Sequence, residues 1–263
     1  MTKLHQSEDD WLTLIAIGVL AASLAAFAHE AVGHGTGCLV VGGRITLLTS
    51  IYFRCLGATA LTDAAGPIGN LLPAIGVIVL LRSRLKWSAP TRLFLTLLGG
   101  INLFWFAGQM IYSAVLDTED IAFVAHELSW PSSWRILAFG AGLAIYVIGV
   151  RVFARTTRTM IVRDQRCSAI RWRIGIAYVG AAGSAVVAGL LWKGNPLGSA
   201  INGLLTVGVA PFGIWLAAIR AQQLGPLQDA AKPVTRSGLW LVVALIIFLA
   251  FAAIQGRGVG TLA

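Results

Sequence analysis

The chain consists of long apolar runs separated by short polar stretches. A helix of about 20 mostly apolar residues crosses a bilayer, and seven runs are long enough to do so. They lie near residues 11–41, 56–81, 93–116, 134–154, 174–192, 198–219 and 237–254. The pattern predicts an all-α integral membrane protein with about seven transmembrane helices. Because these helices use nearly the whole chain, we expect one membrane domain and no separate soluble one.

The composition indicates the same class of protein. Hydrophobic residues make up 57% of the chain, charged residues make up 12%, and the mean hydropathy is +0.80. A soluble core does not need so large an apolar share. A signal peptide begins with basic residues, whereas the first run is preceded by Glu8, Asp9 and Asp10. We therefore expect this run to remain in place as the first helix.

The positive charges are concentrated in three of the predicted loops. The net charge is +9, and most Arg and Lys residues fall in 82–92, 151–173 and 220–236, on one side of a seven-helix topology. The loop 117–127, on the other side, is acidic. Cytoplasmic loops carry an excess of Lys and Arg, so the pattern predicts a multi-pass protein of the plasma (inner) membrane with cytoplasmic basic loops. The expected partner of these charges is the lipid bilayer, and no nucleic-acid binding is expected.

The stretch after the first run favours extended backbone. Gly42 and Gly43 break the helix, and residues 45–53 are rich in β-branched and aromatic side chains, which favour strands. Irregular backbone at membrane depth is tolerated only against protein or a watery cavity. The pattern predicts a short re-entrant β-hairpin over 42–55, with an ordinary interfacial loop as the alternative.

Three cysteines are too few for a disulfide framework. Cys38 and Cys55 flank the predicted hairpin and could form a bond, whereas Cys167 lies in a basic loop. We leave this pairing open.

The sequence His-Glu-Ala-Val-Gly-His places polar side chains inside an apolar run, where they are costly and usually functional. The common zinc motif has two His residues four apart on one helix face, with a Glu as base. Here His29 and His34 are five apart, which separates the imidazoles by about 140° in a regular α-helix. A π-bulge takes up one extra residue and often marks a functional site, and Gly33 makes that distortion easier. We predict a metal site with Glu30 as general base; the alternative is a polar network between helices.

The same spacing resembles the His-Glu-x-x-Gly-His motif of the dipeptidyl peptidase III family, in which both His residues bind zinc and the Glu serves catalysis. This resemblance covers six residues. It implies only that the longer spacing is compatible with a zinc site.

A catalytic zinc site usually has three protein ligands and a water, so the His pair needs a third ligand. The pair lies near the end of the first span, the stretch Gly-Pro-Ile-Gly-Asn (66–70) lies in the second, and an acidic cluster ends the third. Because neighbouring spans are antiparallel, these three features meet at one membrane face. The acids that remain as candidates for the third ligand are Asp63, Asp117, Glu119, Asp120 and Glu127.

Together these features resemble the site-2 protease family of intramembrane zinc metalloproteases. The resemblance covers roughly residues 20–125 and includes AAGPIGNLL, which is similar to the family's Gly-Pro-x-x-Asn segment. It implies a three-helix metalloprotease core with the hairpin in residues 1–125, and additional transmembrane helices of the same domain in 126–263. It also implies hydrolysis of a membrane-protein or peptide substrate by zinc-activated water. An unwound substrate would then add to the strand-like stretch 44–53 by edge pairing.

The resemblance assigns roles to individual residues. These are His29 and His34 as zinc ligands, Glu30 as general base, and Asn70, Gly66 and Pro67 as substrate-positioning residues. The family's third ligand is often in Leu-Asp-Gly, a tripeptide that is absent here. The stretch YSAVLDTED is instead similar to family variants in which an Asp closes a Ser-x-Val-x(4)-Asp pattern. Asp120 is therefore the expected third ligand, followed by Asp117 and then Asp63.

The extra residue in the His motif departs from the family pattern and leaves other functions open. One alternative is a catalytically inactive membrane scaffold of the same fold. Another is an ion- or proton-coupled transporter with Asp63, His29 and Glu30 as its relay; a third is a membrane zinc hydrolase that acts on lipid. The transporter is disfavoured because predicted spans four to seven contain no acidic residue and no His.

Overall fold

The computed structural model describes residues 9–83, 85–161, 169–226 and 231–260 of the 263-residue chain. Within these ranges, seven helices are long and apolar enough to cross a membrane, which confirms the predicted all-α multi-span fold. They are Trp11–Val40 (α1), Ala60–Arg82 (α2), Ala89–Leu116 (α3), Trp134–Arg158 (α5), Ala169–Leu190 (α6), Pro196–Leu224 (α7) and Gly238–Gly256 (α8). A short helix, Asp120–Glu127 (α4), lies between α3 and α5. Cys167 lies outside the described residues.

The predicted hairpin is confirmed as two antiparallel strands, and its depth in the bilayer stays a prediction. The strands are Arg44–Leu48 (β1), Phe53–Leu56 (β2) and a short C-terminal strand, Val259–Gly260 (β3). β1 lies in the middle and pairs antiparallel with both neighbours, so that Leu48 is opposite Phe53 on one side and Val259 on the other. A disulfide bond joins Cys38 to Cys55, with 5.9 Å between their Cα atoms. The hairpin is therefore held by the end of α1 and by β3.

Small residues allow the helices around α1 to approach closely, as is common between membrane helices. A Cβ at Gly18 of α1 would collide with the Ala177 carbonyl of α6, and a Cβ at Gly180 of α6 would lie 2.8 Å from the Ile15 carbonyl oxygen. α1 also contacts α3 and α8, while α5 packs against α3 and α7. The C-terminal helices thus pack against α1 and α3.

A buried ion pair joins four segments at the basic end of the bundle. We predicted Arg173 in a loop, but it lies in α6, and its Nε and Nη2 atoms donate to the two carboxylate oxygens of Asp9 over 2.9 Å. Asp9 also accepts from the Val234 backbone N–H at 2.7 Å, and Arg173 Nη1 donates to the Met160 carbonyl. Every polar atom of this pair is used to join helix ends, so Arg173 has a structural role beyond its contribution to the loop charge.

Helix α7 is irregular over Leu204–Phe212, where a π-helical turn is followed by a 3-10 turn that contains Pro211. Proline removes a backbone donor and disturbs the helical ladder. The hydroxyl of Tyr146 donates to the Ala210 carbonyl at 3.1 Å, and that of Tyr178 donates to the Gly208 carbonyl. These two tyrosines satisfy backbone carbonyls that an apolar surrounding would otherwise leave unpaired.

Candidate metal centre

The helical segment that carries the His-Glu motif is a π-helix over Ala28–His34. Its hydrogen bonds run between residues five apart, so His29 and His34 lie on the same face, with 4.9 Å between their ring centroids. Gly33 packs against the backbone of α2, where a Cβ would lie 2.5 Å from the Ala65 carbonyl oxygen. The predicted π-bulge is confirmed, and its glycine allows α2 to approach.

A strained turn between α3 and α4 delivers Asp120 to the two imidazoles. Asp117 and Glu119 both have positive φ, 56° and 70°, which is unfavourable for residues with a Cβ. α4 begins at Asp120, and the Oδ2 atom of Asp120 lies 3.3 Å from the Nε2 atoms of both His29 and His34. All three side chains are buried, and their ligand atoms lie within 4.8 Å of one another. The structure therefore brings together His29, His34 and Asp120, which could hold a metal ion.

Hydrogen bonds behind the imidazoles fix how the rings are used. Nδ1 of His34 lies 2.8 Å from the Thr62 carbonyl oxygen, which only accepts, so Nδ1 carries the proton and Nε2 is free to bind a cation. Nδ1 of His29 lies 2.6 Å from Asn70 Oδ1. Asn70 Nδ2 donates to Asn102 Oδ1 at 2.8 Å, and Asn102 Nδ2 donates to the Leu98 carbonyl. This chain ends on a backbone acceptor, so it orients both amides and gives His29 the same tautomer.

The donor set fits a divalent metal. With both Nδ1 atoms protonated, two Nε2 lone pairs and a carboxylate oxygen face one another, an arrangement that could hold a cation between them. Burial alone raises the pKa of the Asp120 carboxyl, and positive charge at His34 and His29 outweighs burial and lowers it. The three ligand atoms could hold a divalent cation, whose charge the Asp120 carboxylate would partly offset. Two His and one carboxylate form a common catalytic zinc site.

Glu30 lies beside the three ligands with one oxygen unused. Its side chain is buried, and Oε2 has no hydrogen-bond partner in the part of the chain that the structure describes. A buried carboxylate is costly without a partner. Glu30 lines the same cavity as the three ligands, so a water or a substrate group can supply the missing contact.

The cavity has a volume of about 540 Å³ and mostly apolar walls. Trp105 stacks on the imidazole of His29, with 4.7 Å between ring centroids, and Phe53 of β2 stacks on that of His34 at 5.4 Å. The irregular part of α7 forms another wall through Leu205 and Val209. This wall could not be predicted from the sequence, because α7 carries no charged or imidazole side chain there.

The two lower-ranked candidate ligands lie outside the cluster of three. Asp63 is half-buried and lines the cavity. Asp117 is exposed and faces away, with Oδ1 at 3.0 Å from Nε2 of His126 and Oδ2 at 3.9 Å from Nη1 of Arg135. Among the three acids, only Asp120 joins the imidazoles in the metal-binding group found within the described residues.

The predicted substrate-positioning residues lie along one side of α2. Gly66 faces His34 so closely that a Cβ there would collide with its imidazole, and Pro67 is buried next to it. Asn70 is fully buried behind His29, where its oxygen and its nitrogen are both bonded to protein groups. These contacts give Asn70 an orienting role. Its contact with a substrate carbonyl stays a prediction.

Two polar residues of α3 belong to the site, although the sequence did not indicate a role for either of them. Asn102 orients Asn70, and Gln109 Nε2 donates to Asp120 Oδ2 over 2.6 Å. They are seven residues apart, with Trp105 between them, and therefore share one face of α3. That spacing of polar residues in an apolar span is a signal by which both could have been found.

Protein-family models, curated proteins and solved structures give no match to the chain. The chemistry available at the site is that of its own residues: two oriented imidazoles, one carboxylate opposite them and a second, unpartnered carboxylate beside them.

Proposed function

We propose that the protein is an intramembrane zinc metalloprotease that hydrolyses peptide bonds of membrane-embedded protein or peptide substrates. One observation carries this proposal. The Nε2 atoms of His29 and His34 and the carboxylate of Asp120 converge beside the unpartnered Glu30 in a single cavity.

The residues that would hold the zinc are His29, His34 and Asp120, which leaves one position for a water, as in catalytic zinc sites. A bound zinc ion would polarise that water and lower its pKa towards neutrality. Thr62 and Asn70 hold the two rings in the tautomer that this ligation needs.

Glu30 would act as the general base. Its free Oε2 takes a proton from water as the water oxygen bonds to the carbonyl carbon of the substrate. The C–N bond then breaks, and Glu30 passes the proton to the leaving amine nitrogen. Burial of Glu30 beside the ligands keeps this proton transfer away from bulk solvent.

The cavity walls suit an apolar peptide segment that has unwound from a helix. β1 is paired on both sides along Leu47 and Leu48, which corrects our expectation that the stretch 44–53 offers the free edge. Within the described residues, β2 is an edge strand of the sheet and is longer than β3, the other edge strand. Its first residue, Phe53, stacks on His34. Edge pairing with β2 would bring an extended substrate to the metal ligands.

Two independent features favour a site at the non-cytoplasmic face. Disulfide bonds persist in oxidising compartments, and Cys38–Cys55 lies at the end of the bundle that holds the site. The basic helix ends, such as Arg82 and Arg158, lie at the opposite end, as the positive-inside rule predicts for the cytoplasmic side.

Zinc content and peptide cleavage together test the proposal. We expect purified, zinc-loaded wild type and Glu30→Gln to hold about one zinc per chain, and His34→Ala to lose it. Wild type and Glu30→Gln are then co-reconstituted with a mixture of labelled single-span peptides, and new termini are detected by mass spectrometry. We expect cleavage by wild type only.

The outcomes separate the proposal from its alternatives. A wild type that stays metal-free after zinc loading contradicts the metal site itself. A wild type that holds zinc and cuts nothing contradicts protease activity and supports the inactive scaffold. Equal cleavage by wild type and Glu30→Gln would show that Glu30 is not the base.

A further inference from the structure

Tyr52 lines the cavity that holds the metal ligands, a position that the sequence does not explain. It lies in the turn between β1 and β2, immediately before Phe53, whose ring stacks on His34. Its side chain lines the cavity that also contains His34, Glu30 and Asp120. From the sequence, Tyr52 resembles an interfacial anchor, but an anchor would point to the lipid head groups and not into this cavity.

The hydroxyl of Tyr52 is oriented by a residue of α7. Asn202 Nδ2 donates a hydrogen bond to the phenol oxygen over 2.6 Å. Because the oxygen accepts this bond, its own proton points elsewhere. No acceptor for that proton occurs in the described ranges, and the cavity is the open space beside it. The phenol therefore offers a donor to whatever enters.

The backbone and the ring of Tyr52 are held firmly. Thr49 forms hydrogen bonds with both polar groups of the Tyr52 backbone. Thr49 Oγ1 accepts from the Tyr52 N–H at 2.7 Å, and the Thr49 N–H donates to the Tyr52 carbonyl at 2.8 Å. Gln255 of α8 donates to the Thr49 carbonyl, and the Tyr52 ring packs on Trp192 with 5.2 Å between centroids. A donor that is held in place before substrate binds loses little entropy when substrate binds. Such preorganised donors are effective in stabilising a transition state.

We propose that the Tyr52 hydroxyl, positioned by Asn202, donates a hydrogen bond to the carbonyl oxygen of the substrate's scissile peptide bond. The oxygen gains negative charge as water adds to the carbonyl carbon, so this hydrogen bond strengthens during the reaction. Burial raises the pKa of the phenol, so the hydroxyl remains a donor at neutral pH. Tyr52 is then a catalytic residue and Asn202 its positioning residue, which gives α7 a direct part in the site. The inference rests on the proposed protease function.

The test uses cobalt in place of zinc and a peptidyl hydroxamate in place of substrate. A hydroxamate brings a carbonyl oxygen to the metal, and cobalt absorption in the visible range reports both metal binding and hydroxamate binding without any turnover. Full-length wild type, Tyr52→Phe and Asn202→Leu are titrated in detergent. Tyr112→Phe is the matched control, because Tyr112 lines the same cavity and has no side-chain hydrogen bond among the described residues.

We expect the hydroxamate Kd of Tyr52→Phe to rise roughly threefold to tenfold, as for the loss of one hydrogen bond. Asn202→Leu should show a similar rise, whereas Tyr112→Phe should match wild type. The cobalt Kd of all variants should stay at the wild-type value. An unchanged hydroxamate Kd in Tyr52→Phe would overturn the proposal, and so would a parallel loss of cobalt affinity, since Tyr52 would then act on the structure of the site. A wild type that binds no cobalt or no hydroxamate would instead contradict the proposed function itself.

Discussion

Gln109 donates a hydrogen bond from Nε2 to Oδ2 of Asp120 over 2.6 Å, and that oxygen is the one that faces both imidazoles. The two residues lie on different helices, α3 and α4, on either side of the strained turn. Gln109 therefore sets the direction in which Asp120 points, although it is not itself in contact with the imidazoles.

Replacing Gln109 by Leu should weaken metal binding while the fold is kept. Loss of a hydrogen bond behind a metal ligand typically reduces affinity by about 10- to 100-fold. We would measure the zinc Kd by competition with a chelator in detergent, beside wild type and Gln109→Glu. An affinity within twofold of wild type in Gln109→Leu would show that the turn alone holds Asp120.

The chain of amides behind His29 leads to a second prediction. Asn102→Ala removes the nearer acceptor of Asn70 Nδ2, at 2.8 Å, and leaves only the Ala25 carbonyl at 3.4 Å, so the Asn70 amide is freer to rotate and present its nitrogen to His29 Nδ1. The ring would then be held in the wrong tautomer for ligation. We expect zinc affinity to fall about tenfold and stability to fall by about 1 kcal/mol, the net contribution of one buried hydrogen bond.

Ser113→Ala is the matched control for this change. Ser113 lies on the same helix, is fully buried, and its hydroxyl has no partner among the described residues. Its removal should leave zinc affinity unchanged. A fall of similar size in Ser113→Ala would attribute the effect of Asn102→Ala to repacking of α3.

The sequence contained enough information for the spans, the hairpin and the distortion at the His motif. The spans follow from the length of the apolar runs, and the π-helix follows from the five-residue spacing of His29 and His34 with Gly33 between them. Local patterns of this kind need no knowledge of which helices are neighbours. β3 was missed because two residues, Val259 and Gly260, are too few to produce an alternating pattern.

The resemblance to a Ser-x-Val-x(4)-Asp pattern ranked Asp120 first, but the physical reason lies in backbone geometry that spacing does not show. Asp117 and Asp120 are three residues apart at the end of one span, and both are polar residues in the same short stretch. Positive φ at Asp117 and Glu119 reverses the chain, which sends Asp117 towards His126 and Asp120 towards the imidazoles. The roles of Gln109 and Asn202 depend on contacts between helices distant in sequence, and no local pattern reports such contacts.

Glu119 provides a third prediction, because its backbone is strained. Its φ of 70° and ψ of −179° are close to a region that glycine alone adopts easily. Burial, followed by the charge of Asp120, also raises the pKa of its carboxyl. Glu119→Gly relieves the backbone strain and Glu119→Ala does not, so we expect the glycine variant to be more stable than the alanine variant by about 1 kcal/mol. Thermal unfolding in detergent measures this difference. An alanine variant at least as stable as the glycine variant would show that the backbone of Glu119 is not strained.

Gly66 gives the sharpest test of how close α2 lies to the metal ligands. A Cβ at this position would collide with the His34 imidazole, and it would meet its Nε2, Cε1 and Cδ2 atoms together. His34 has no room to withdraw, because Phe53 stacks on its ring and Thr62 holds its Nδ1. Gly66→Ala should therefore displace the imidazole and abolish zinc binding, measured as metal content after zinc loading.

Gly76→Ala is the control on the same helix. A Cβ at Gly76 meets nothing within 4 Å, and alanine is favoured over glycine in a helix by about 1 kcal/mol. This variant should keep its zinc and unfold at the same temperature as wild type or slightly above it. If Gly66→Ala retains its zinc, α2 lies farther from the His34 ring than the expected collision implies. If both variants lose zinc, the loss comes from a change in α2 as a whole.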